Sequence, residues 1–499
     1  MNRLSILLVA LPLAACATSQ VPSERASWPA AEAYLARIAA LDDAGPRLNA
    51  VMVTNPDAPA QARAAAAAGL PLGGRTVLVK DNIETREWPT TAGSLALANN
   101  TTGRDAPLVT RLRAAGGVVL GKTNLSEWAN IRSSRSTSGW SAVGGQTRNP
   151  HAIDRNACGS SSGSGAAVAA GFAWAAIGTE TDGSITCPAS VNGIVGFKPT
   201  VGLVSRTHVI PISHSQDTPG PMARSVADAA LLLNAIAGSD PADPVTAEAD
   251  AYKVDFTARL TSASLAGVRI GVLRKQVGDH PQVERLFNDA LADLTRAGAV
   301  LVPIDFEEPE GLGEAEFTTL LFELREDLAA YLTSSPADIP VRTLAEVIAF
   351  NKARAAEEMR WFGQDIFEQA EQTTDREAYE AARAKALRLA EEEGINRLLA
   401  EHGVQFLIAP TTGPAWATDL VNGDHFEDSI GAGTFAAVAG TPHLSVPMGA
   451  VERLPVGLSI IGGRWDDAAV LKAGAAYERA RTARLAEPGL DRWKPASGE

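Results

Sequence analysis

A stretch rich in glycine and serine in this 499-residue chain contains a pattern typical of nucleophilic catalysis. Gly159 to Gly163 fits G-x-S-x-G, in which the central serine, here Ser161, attacks a carbonyl carbon from a sharp turn that follows a buried strand. The polar residues of 151–158 do not predict such a strand, and no downstream histidine stands in a distinctive context. We therefore expect Ser161 to be a structural hydrogen-bonding residue.

A second local pattern suggests nucleotide binding. Gly116 to Thr123 fits G-x-x-x-x-G-K-[ST], the loop that wraps phosphates with backbone N–H groups. Residues 117–120 inside it are Gly-Val-Val-Leu, which predicts a buried strand and not a loop open to a ligand. We expect no nucleotide at this position.

A longer series of motifs resembles the amidase signature family. Five segments carry the resemblance in a fixed order: Val79 to Asn82, Gly121 to Glu127, Cys158 to Ala167, Gly178 to Ile185 and Gly193 to Thr200. The resemblance covers roughly residues 28–480 and is strongest over 75–235. It implies a single large α/β domain, with a mostly parallel mixed central sheet covered by helices on both faces.

The resemblance also implies the roles of particular residues. Ser184 corresponds to the acylated nucleophile, Ser160 to the bridging serine that commonly follows a cis peptide bond, and Lys80 to the general base. The backbone N–H groups expected to form the oxyanion hole are those of Thr181, Asp182, Gly183 and Ser184. The resemblance implies no cofactor, and no cluster of His, Cys, Asp and Glu at metal-ligand spacing is visible in the sequence.

This chemistry places a physical demand on Lys80. Amide hydrolysis through an acyl-serine needs a base, and a lysine with its ordinary pKa of about 10.4 is protonated at neutral pH. Lys80 ends the apolar run 76–79, so burial at a strand end is expected to lower its pKa. Asp81 should point to the opposite side and leave this effect intact.

The nucleophile segment differs from the usual family pattern at two positions. The family usually has aspartate where Glu180 stands and glycine where Asp182 stands. The segment Glu180 to Ser184, together with Ser213 to Pro221, resembles the bacterial peptide amidase branch, which releases ammonia from the C-terminal carboxamide of peptides. Small aryl or aliphatic amides are alternative substrates. A transamidase subunit and a non-catalytic extracytoplasmic binding protein of the same fold are competing interpretations.

Alternating helix and strand signals support an α/β fold over one domain, residues 27–485. Apolar runs predict strands at 76–79, 117–121, 268–273, 299–302, 404–409, 444–447 and 456–461. Helical spacing predicts helices at 28–41, 61–68, 107–115, 166–172, 225–237, 282–297 and 468–480. The core of the resemblance is 75–235, and the charged helical region 314–400 is expected to cover it.

The composition of the chain limits the kinds of molecule that it is expected to bind. The net charge of −14 and the absence of a long basic run in the sequence argue against a nucleic-acid partner. The expected partner is a small-molecule or peptide amide substrate. Cys158 and Cys187 could form a disulfide or be small buried hydrophobic residues, and the sequence leaves both possibilities open.

The N-terminus predicts export. After Arg3, the apolar run 4–13 is too short to span a bilayer and is typical of a secretory signal. Leu13 to Cys16 resembles the bacterial lipoprotein box, which makes 1–16 a signal segment, 17–26 a tether and Cys16 the lipidated residue. The alternative is a plain secretory signal cleaved after an alanine. We expect a periplasmic enzyme that contacts the membrane only through an N-terminal lipid anchor.

This interpretation predicts the behaviour of the Cys16→Ser variant. Without the thiol there is no acceptor for the lipid, so the variant should leave the membrane fraction while the wild type stays in it. Fractionation and mass spectrometry of the N-terminus measure this. A wild-type protein that is already free of the membrane, with an unmodified N-terminus, would contradict the prediction.

Overall fold

The strands at the centre of the molecule are buried on both faces. In β2 (Thr76–Lys80) every residue is buried. Val77 and Val79 belong to one hydrophobic cluster and Leu78, between them, to another. Because successive side chains of a strand point to opposite faces, the two clusters lie on opposite sides of one sheet.

The computed structural model describes residues 30–426 and 429–495. Its helices are α1 (Ala31–Leu41), α2 (Ala58–Ala67), α3 (Pro107–Ala114), α4 (Ser162–Ala169), α5 (Thr186–Val191), α6 (Val226–Ile236), α7 (Ala249–Tyr252), α8 (Pro281–Arg296), α9 (Leu312–Ser334), α10 (Leu344–Ala353), α11 (Ala355–Glu358), α12 (Asp365–Gln372), α13 (Arg376–Leu387), α14 (Arg397–His402), α15 (Gly433–Val438) and α16 (Asp467–Ala480). A π-helical stretch, Arg388–Asn396, joins α13 to α14. None of the described helices combines the length and apolar character needed to cross a membrane.

Eleven strands form one sheet in the order β1-β3-β2-β8-β10-β9-β14-β15-β13-β11-β12. The strands are β1 (Val51–Thr54), β2 (Thr76–Lys80), β3 (Val118–Thr123), β4 (Trp140–Ser141), β5 (Gly145–Gln146), β6 (Arg148–Asn149), β7 (Ala152–Asn156), β8 (Ala175–Glu180), β9 (Val195–Lys198), β10 (Thr218–Ala223), β11 (Arg269–Leu273), β12 (Val300–Ile304), β13 (Phe406–Pro410), β14 (His443–Val451) and β15 (Leu454–Ile461). The pairs β4-β5 and β6-β7 form two small separate sheets.

The predicted α/β class and mixed sheet are confirmed, but the sheet is not mostly parallel. Among the described strands, four neighbouring pairs of the large sheet are parallel and six are antiparallel. One cause is the hairpin of β14 and β15, whose two-residue turn has Glu452 and Arg453 at positive φ. A second is β10, which lies antiparallel to both of its neighbours, β8 and β9.

Helices cover both faces of the sheet, as expected. One hydrophobic cluster joins the sheet to residues of α3, α6, α8 and α16, and the other joins it to α1 and α4. In the region 314–400, the long helix α9 packs against α12 and α13. Side chains of α9, α10 and α12 share a hydrophobic cluster with residues of the segment 75–235, among them Leu97 and Trp128. The signal segment, the tether and Cys16 lie outside the described residues.

Four strands of the large sheet, β1, β8, β9 and β10, were not predicted from the sequence. β8, β9 and β10 contain glycine or proline in their interiors, residues that usually weaken a strand. They form because each is buried between two paired neighbours. Helix α4 also differs from its prediction at 166–172, since it begins at Ser162 and ends at Ala169.

Candidate active site

Lys80 occupies the C-terminal end of β2, between β3 and β8, and its side chain is fully buried. The Lys80 amine lies 2.7 Å from Ser160 Oγ, 2.8 Å from Thr179 Oγ1 and 3.2 Å from the Thr179 carbonyl oxygen. Burial lowers the pKa of Lys80 to about 7, against the opposing charges of Asp217 and Glu180. The depressed pKa expected from the sequence is therefore present.

Two other lysines in the described part of the chain are also fully buried, and neither contacts a candidate serine. Lys122 forms an ion pair with Asp81 at 2.9 Å. Lys198 donates to the carbonyl oxygen of Thr441, and burial lowers its pKa to about 8. Because Lys122 pairs with the Asp81 carboxylate, Asp81 does not stabilise the protonated form of the neighbouring Lys80 amine.

Ser160 lies in the turn between β7 and α4. The Gly159–Ser160 peptide bond is cis. A Cβ at Gly159 would lie 2.1 Å from Ser126 Oγ, so only glycine allows this close approach. The Ser160 carbonyl oxygen accepts a hydrogen bond from Ser126 N at 3.0 Å, which fixes the turn beside β2.

Ser184 lies in the short loop between β8 and α5. One carboxylate oxygen of Glu180, the last residue of β8, accepts the backbone N–H groups of Ile185 at 2.7 Å and Thr186 at 2.9 Å. This contact closes the loop behind the serine, and Gly183 supplies the positive φ of 78° that the turn needs. The Ser184 carbonyl oxygen accepts Ser161 N at 3.1 Å, so the two serine-bearing turns are joined through their backbones.

The fold explains the two local patterns that resemble a phosphate-binding loop and a G-x-S-x-G nucleophile. Gly116 to Thr123 contains the buried strand β3, as expected, and its lysine is the partner of Asp81. Ser161 Oγ donates to the Thr179 carbonyl oxygen at 3.0 Å and accepts Thr179 N at 3.2 Å, which is a structural role. Residues 151–158 were not expected to form the buried strand that precedes such a nucleophile; Ala152–Asn156 does form a strand, β7, but its three central residues are only partly buried. That strand belongs to a small hairpin outside the main sheet.

Two polar residues near Lys80 were missed by the sequence analysis. Thr179 presents both its carbonyl and its hydroxyl oxygen to the Lys80 amine, and Asn82 Nδ2 donates to the same hydroxyl at 3.0 Å. Both residues belong to recognised motif segments, but no local signal assigned them a role. Their contact depends on the pairing of β2 with β8, where Val79 lies opposite Ile177.

The loop of residues 181–185, between β8 and α5, opens into a cleft of about 430 Å³. Thr181, Asp182, Gly183 and Ser184, the residues predicted for the oxyanion hole and the nucleophile, all line it. Trp416, Phe426 and Phe435 supply aromatic walls. Among the described lining residues there is no Lys, Arg or His, and the charged ones are Asp182 and Glu308.

Asp182 faces this cleft and does not cap the turn, a task that Glu180 performs. Its carboxylate accepts a hydrogen bond from Thr434 Oγ1 at 2.9 Å. Although the side chain is open to the cleft, the surrounding protein displaces water and raises the pKa of Asp182 to about 6, with a further contribution from Glu180. At neutral pH the cleft therefore carries negative charge.

The two cysteines left open by the sequence are bonded to each other. Cys158 and Cys187 form a disulfide with 6.0 Å between their Cα atoms. Both line the cleft, one from the Ser160 turn and one from the first turn of α5. The disulfide thus joins the two segments that carry the candidate serines.

One group in the described residues has the composition of a metal site: His214, Glu323 and Asp327. Its histidine already contacts a carboxylate with each ring nitrogen, Nδ1 with Asp327 at 2.9 Å and Nε2 with Glu323 at 3.2 Å. Tyr379 OH donates to Glu323 as well. This is a hydrogen-bonded network between α9, α13 and the loop before β10.

The chain is similar to known amidases in sequence and in fold. The Amidase family model matches residues 30–471. The crystal structure of native peptide amidase from Stenotrophomonas maltophilia is similar with a TM-score of 0.87 and 50% sequence identity, covering 92% of this chain and 94% of that one. A probable amidase of Arabidopsis thaliana is 37% identical over 90% of this chain and 86% of its own length.

A further relative carries a different name. A glutamyl-tRNA(Gln) amidotransferase subunit of Cupriavidus metallidurans is 35% identical over 92% of this chain and 94% of its own length. Both the family model and these relatives span almost the whole described chain. The protein therefore belongs to the amidase signature family, and it is an amide-bond hydrolase of that family.

Proposed function

We propose that the protein hydrolyses the C-terminal carboxamide of peptides and releases ammonia, with Ser184 as nucleophile, Ser160 as proton relay and Lys80 as base. The observation that carries the mechanism is the 2.7 Å contact between the Lys80 amine and Ser160 Oγ inside the protein. It supplies a base that loses its proton as the pH rises through about 7, in contact with a hydroxyl that can both donate and accept a proton.

Acylation follows from this arrangement. The Ser184 hydroxyl attacks the amide carbon and passes its proton to Ser160, which passes its own to Lys80. Ser184 is nearly buried and lines the cleft. Its hydroxyl has no hydrogen bond to Ser160 among the described contacts, so the proposed relay requires the two hydroxyls to meet when substrate is bound. Lys80 then returns the proton through Ser160 to the leaving nitrogen, and ammonia departs. A water molecule then attacks the acyl-serine and gives its proton through Ser160 to Lys80. Lys80 returns the proton to Ser184 through Ser160, and the carboxylic acid product leaves.

The loop before Ser184 supplies electrostatic stabilisation. As the carbonyl oxygen becomes an oxyanion, the proposed donors to it are the backbone N–H groups of Thr181, Asp182, Gly183 and Ser184, which all line the cleft. Removal of one such donor typically costs about 10²–10³-fold in kcat. The Glu180 carboxylate, by holding Ile185 and Thr186, keeps this loop in place before substrate arrives.

The charge of the cleft supports a peptide amide as substrate. A substrate with a free carboxylate next to the scissile amide needs a cation, and the described lining offers only Asp182 and Glu308 as charged groups. A C-terminal carboxamide is neutral, and the aromatic walls fit apolar side chains of a peptide. The similarity to a peptide amidase structure supports the same substrate class.

Three competing interpretations fit less well. Small aryl or aliphatic amides would enter the same cleft but would leave much of its 430 Å³ unfilled. A non-catalytic binding protein has no need for a fully buried lysine against a serine hydroxyl. A transamidase that draws ammonia from free glutamine would have to bind a carboxylate beside acidic groups.

We also propose that the enzyme is exported and lipid-anchored through Cys16. The sequence segment 1–16 carries this proposal. The Cys158–Cys187 disulfide supports it, because disulfides persist in oxidising compartments such as the bacterial periplasm.

The nucleophile can be tested by a pair of serine variants. Ser184→Ala should lose at least about 10³-fold in kcat while remaining folded, because no hydroxyl is left to form the acyl intermediate. Ser161→Ala removes two structural hydrogen bonds and should keep far more activity. Ammonia release and thermal unfolding are measured for both. The opposite ranking would make Ser161 the nucleophile.

The base can be tested by pH dependence. Because the neutral amine is the active form, kcat/KM should rise about tenfold per pH unit below about 7 and level off above it. Lys80→Arg should be almost inactive at every pH, since a guanidinium keeps its proton. A Lys80→Arg enzyme within a few-fold of wild type would remove lysine from the mechanism.

The substrate class can be tested with matched compounds. We expect kcat/KM for dipeptide and tripeptide amides with apolar side chains to exceed that for aryl or short aliphatic amides by at least about tenfold. Free glutamine, with its carboxylate, should be hydrolysed poorly. The measurement is initial ammonia release across the panel. A preference for the aryl amides or for glutamine would reject the peptide amide assignment.

A further inference from the structure

The carboxylate of Asp217 lies beside the nucleophile loop, residues 181–185, which carries the proposed nucleophile Ser184. The proposed mechanism gives Asp217 no role. Sheet register brings it there, because β8 and β10 pair antiparallel with Glu180 opposite Thr218. Thr181 and Asp217 therefore face each other just past the ends of these strands. Thr181 Oγ1 donates to Asp217 Oδ1 at 2.6 Å.

Asp217 is itself held firmly. Its second oxygen accepts the backbone N–H groups of Ile212 at 2.8 Å and Ser213 at 3.0 Å, and the residue is buried. Burial raises the pKa of Asp217 to about 6, while its hydrogen-bond donors and the positive charge of Arg206, itself paired with Asp243, favour the ionised form. The carboxylate thus has fixed donors on both oxygens and little freedom to move.

Gln216, the residue before Asp217, makes a second contact with Thr181. Gln216 Nε2 donates to the Thr181 carbonyl oxygen at 3.3 Å and to Glu316 Oε1 on α9 at 2.7 Å. Glu180 holds the other end of the same loop. The nucleophile loop is therefore fixed at both ends, and Asp217 and Gln216 fix the end at which it leaves β8.

We propose that Asp217 is a positioning residue for amide hydrolysis, which holds the loop of oxyanion donors through the Thr181 hydroxyl and whose negative charge acts on the Lys80 amine. The inference rests on the proposed function, because that function gives the loop and the amine their roles. Oxyanion donors must be in place before the reaction, so a loop released at Thr181 loses transition-state stabilisation.

The effect on Lys80 separates this role from a purely structural one. Asp217 lines one small cavity together with Asn82 and Thr179, and the Thr179 hydroxyl contacts the Lys80 amine at 2.8 Å. The charged groups that act on the amine are Asp217, from the loop before β10, and Glu180, from the end of β8. Asp81, which directly follows Lys80, is paired with Lys122 on the neighbouring strand β3. Asp217 works against burial and raises the pKa of Lys80, so loss of its charge should lower that pKa further.

The loop contact is tested with threonine variants, on any amide that the wild type hydrolyses. Thr181→Val should lower kcat by about ten- to a hundredfold with KM within about threefold, and Thr181→Ser should restore most of the loss. Thr200→Val is the matched control, since Thr200 donates to Asp467 at 2.6 Å in another buried pair. The control should lose thermal stability but not kcat. A Thr181→Val enzyme within twofold of wild type would overturn the positioning role.

The charge is tested with Asp217→Asn, which keeps the shape. The amide oxygen can accept from Ile212 and Ser213 while the amide nitrogen donates to Thr181 Oγ1. The Lys80 titration is followed by the 13Cε resonance of labelled lysine, assigned with Lys80→Met. Its midpoint should move down by about half a pH unit or more, and the acid limb of kcat/KM should follow.

These readouts distinguish the two proposals. A midpoint that stays where it is in Asp217→Asn would overturn the action of Asp217 on Lys80. The resonance needs no turnover, so it decides this point even if the wild type hydrolyses none of the amides. Absence of wild-type turnover would contradict the proposed function instead.

Discussion

The site depends on the burial of one amine. Lys80 stands at the end of a central strand with no exposed surface, and burial moves its pKa from 10.5 to about 7. A shift of this size corresponds to roughly 5 kcal/mol of differential interaction between its two protonation states. The neutral amine matches its surroundings, since two N–H groups can donate to the oxygens of Thr179 while the lone pair accepts the Ser160 hydroxyl.

Carboxylates near the Lys80 amine have other partners in the structure. Asp81 would favour the protonated form if its carboxylate faced the site, and Lys122 engages it at 2.9 Å inside the protein. Glu180 uses one oxygen to hold the backbone of the nucleophile loop. Because an unpaired charge in a buried place is costly, each such partner also stabilises the fold. The electrostatics of the amine and the packing of the sheet are therefore parts of the same arrangement.

Local pattern predicted much of the fold because many of its elements carry their own periodicity. The helices α3, α6, α8 and α16 begin and end within one or two residues of their predictions. The strands β8, β9 and β10 were missed, since glycine and proline weaken the strand signal that burial between neighbours overrides. The predicted excess of parallel strand pairs in the large sheet was wrong for a related reason. Strand direction depends on how connections cross the sheet, and no single window of sequence encodes that path.

Short motifs in the sequence were enough to predict the kind of chemistry. They predicted Lys80, Ser160 and Ser184 as the reactive residues and indicated the family, because each motif is a short run of residue types. Tertiary structure decided which of three buried lysines meets a serine, that Cys158 and Cys187 are bonded, and that Thr181 meets Asp217. These contacts join positions 29 to 80 residues apart. They exist only because strand order and register bring distant segments to one edge of the sheet, and packing of the whole domain sets both.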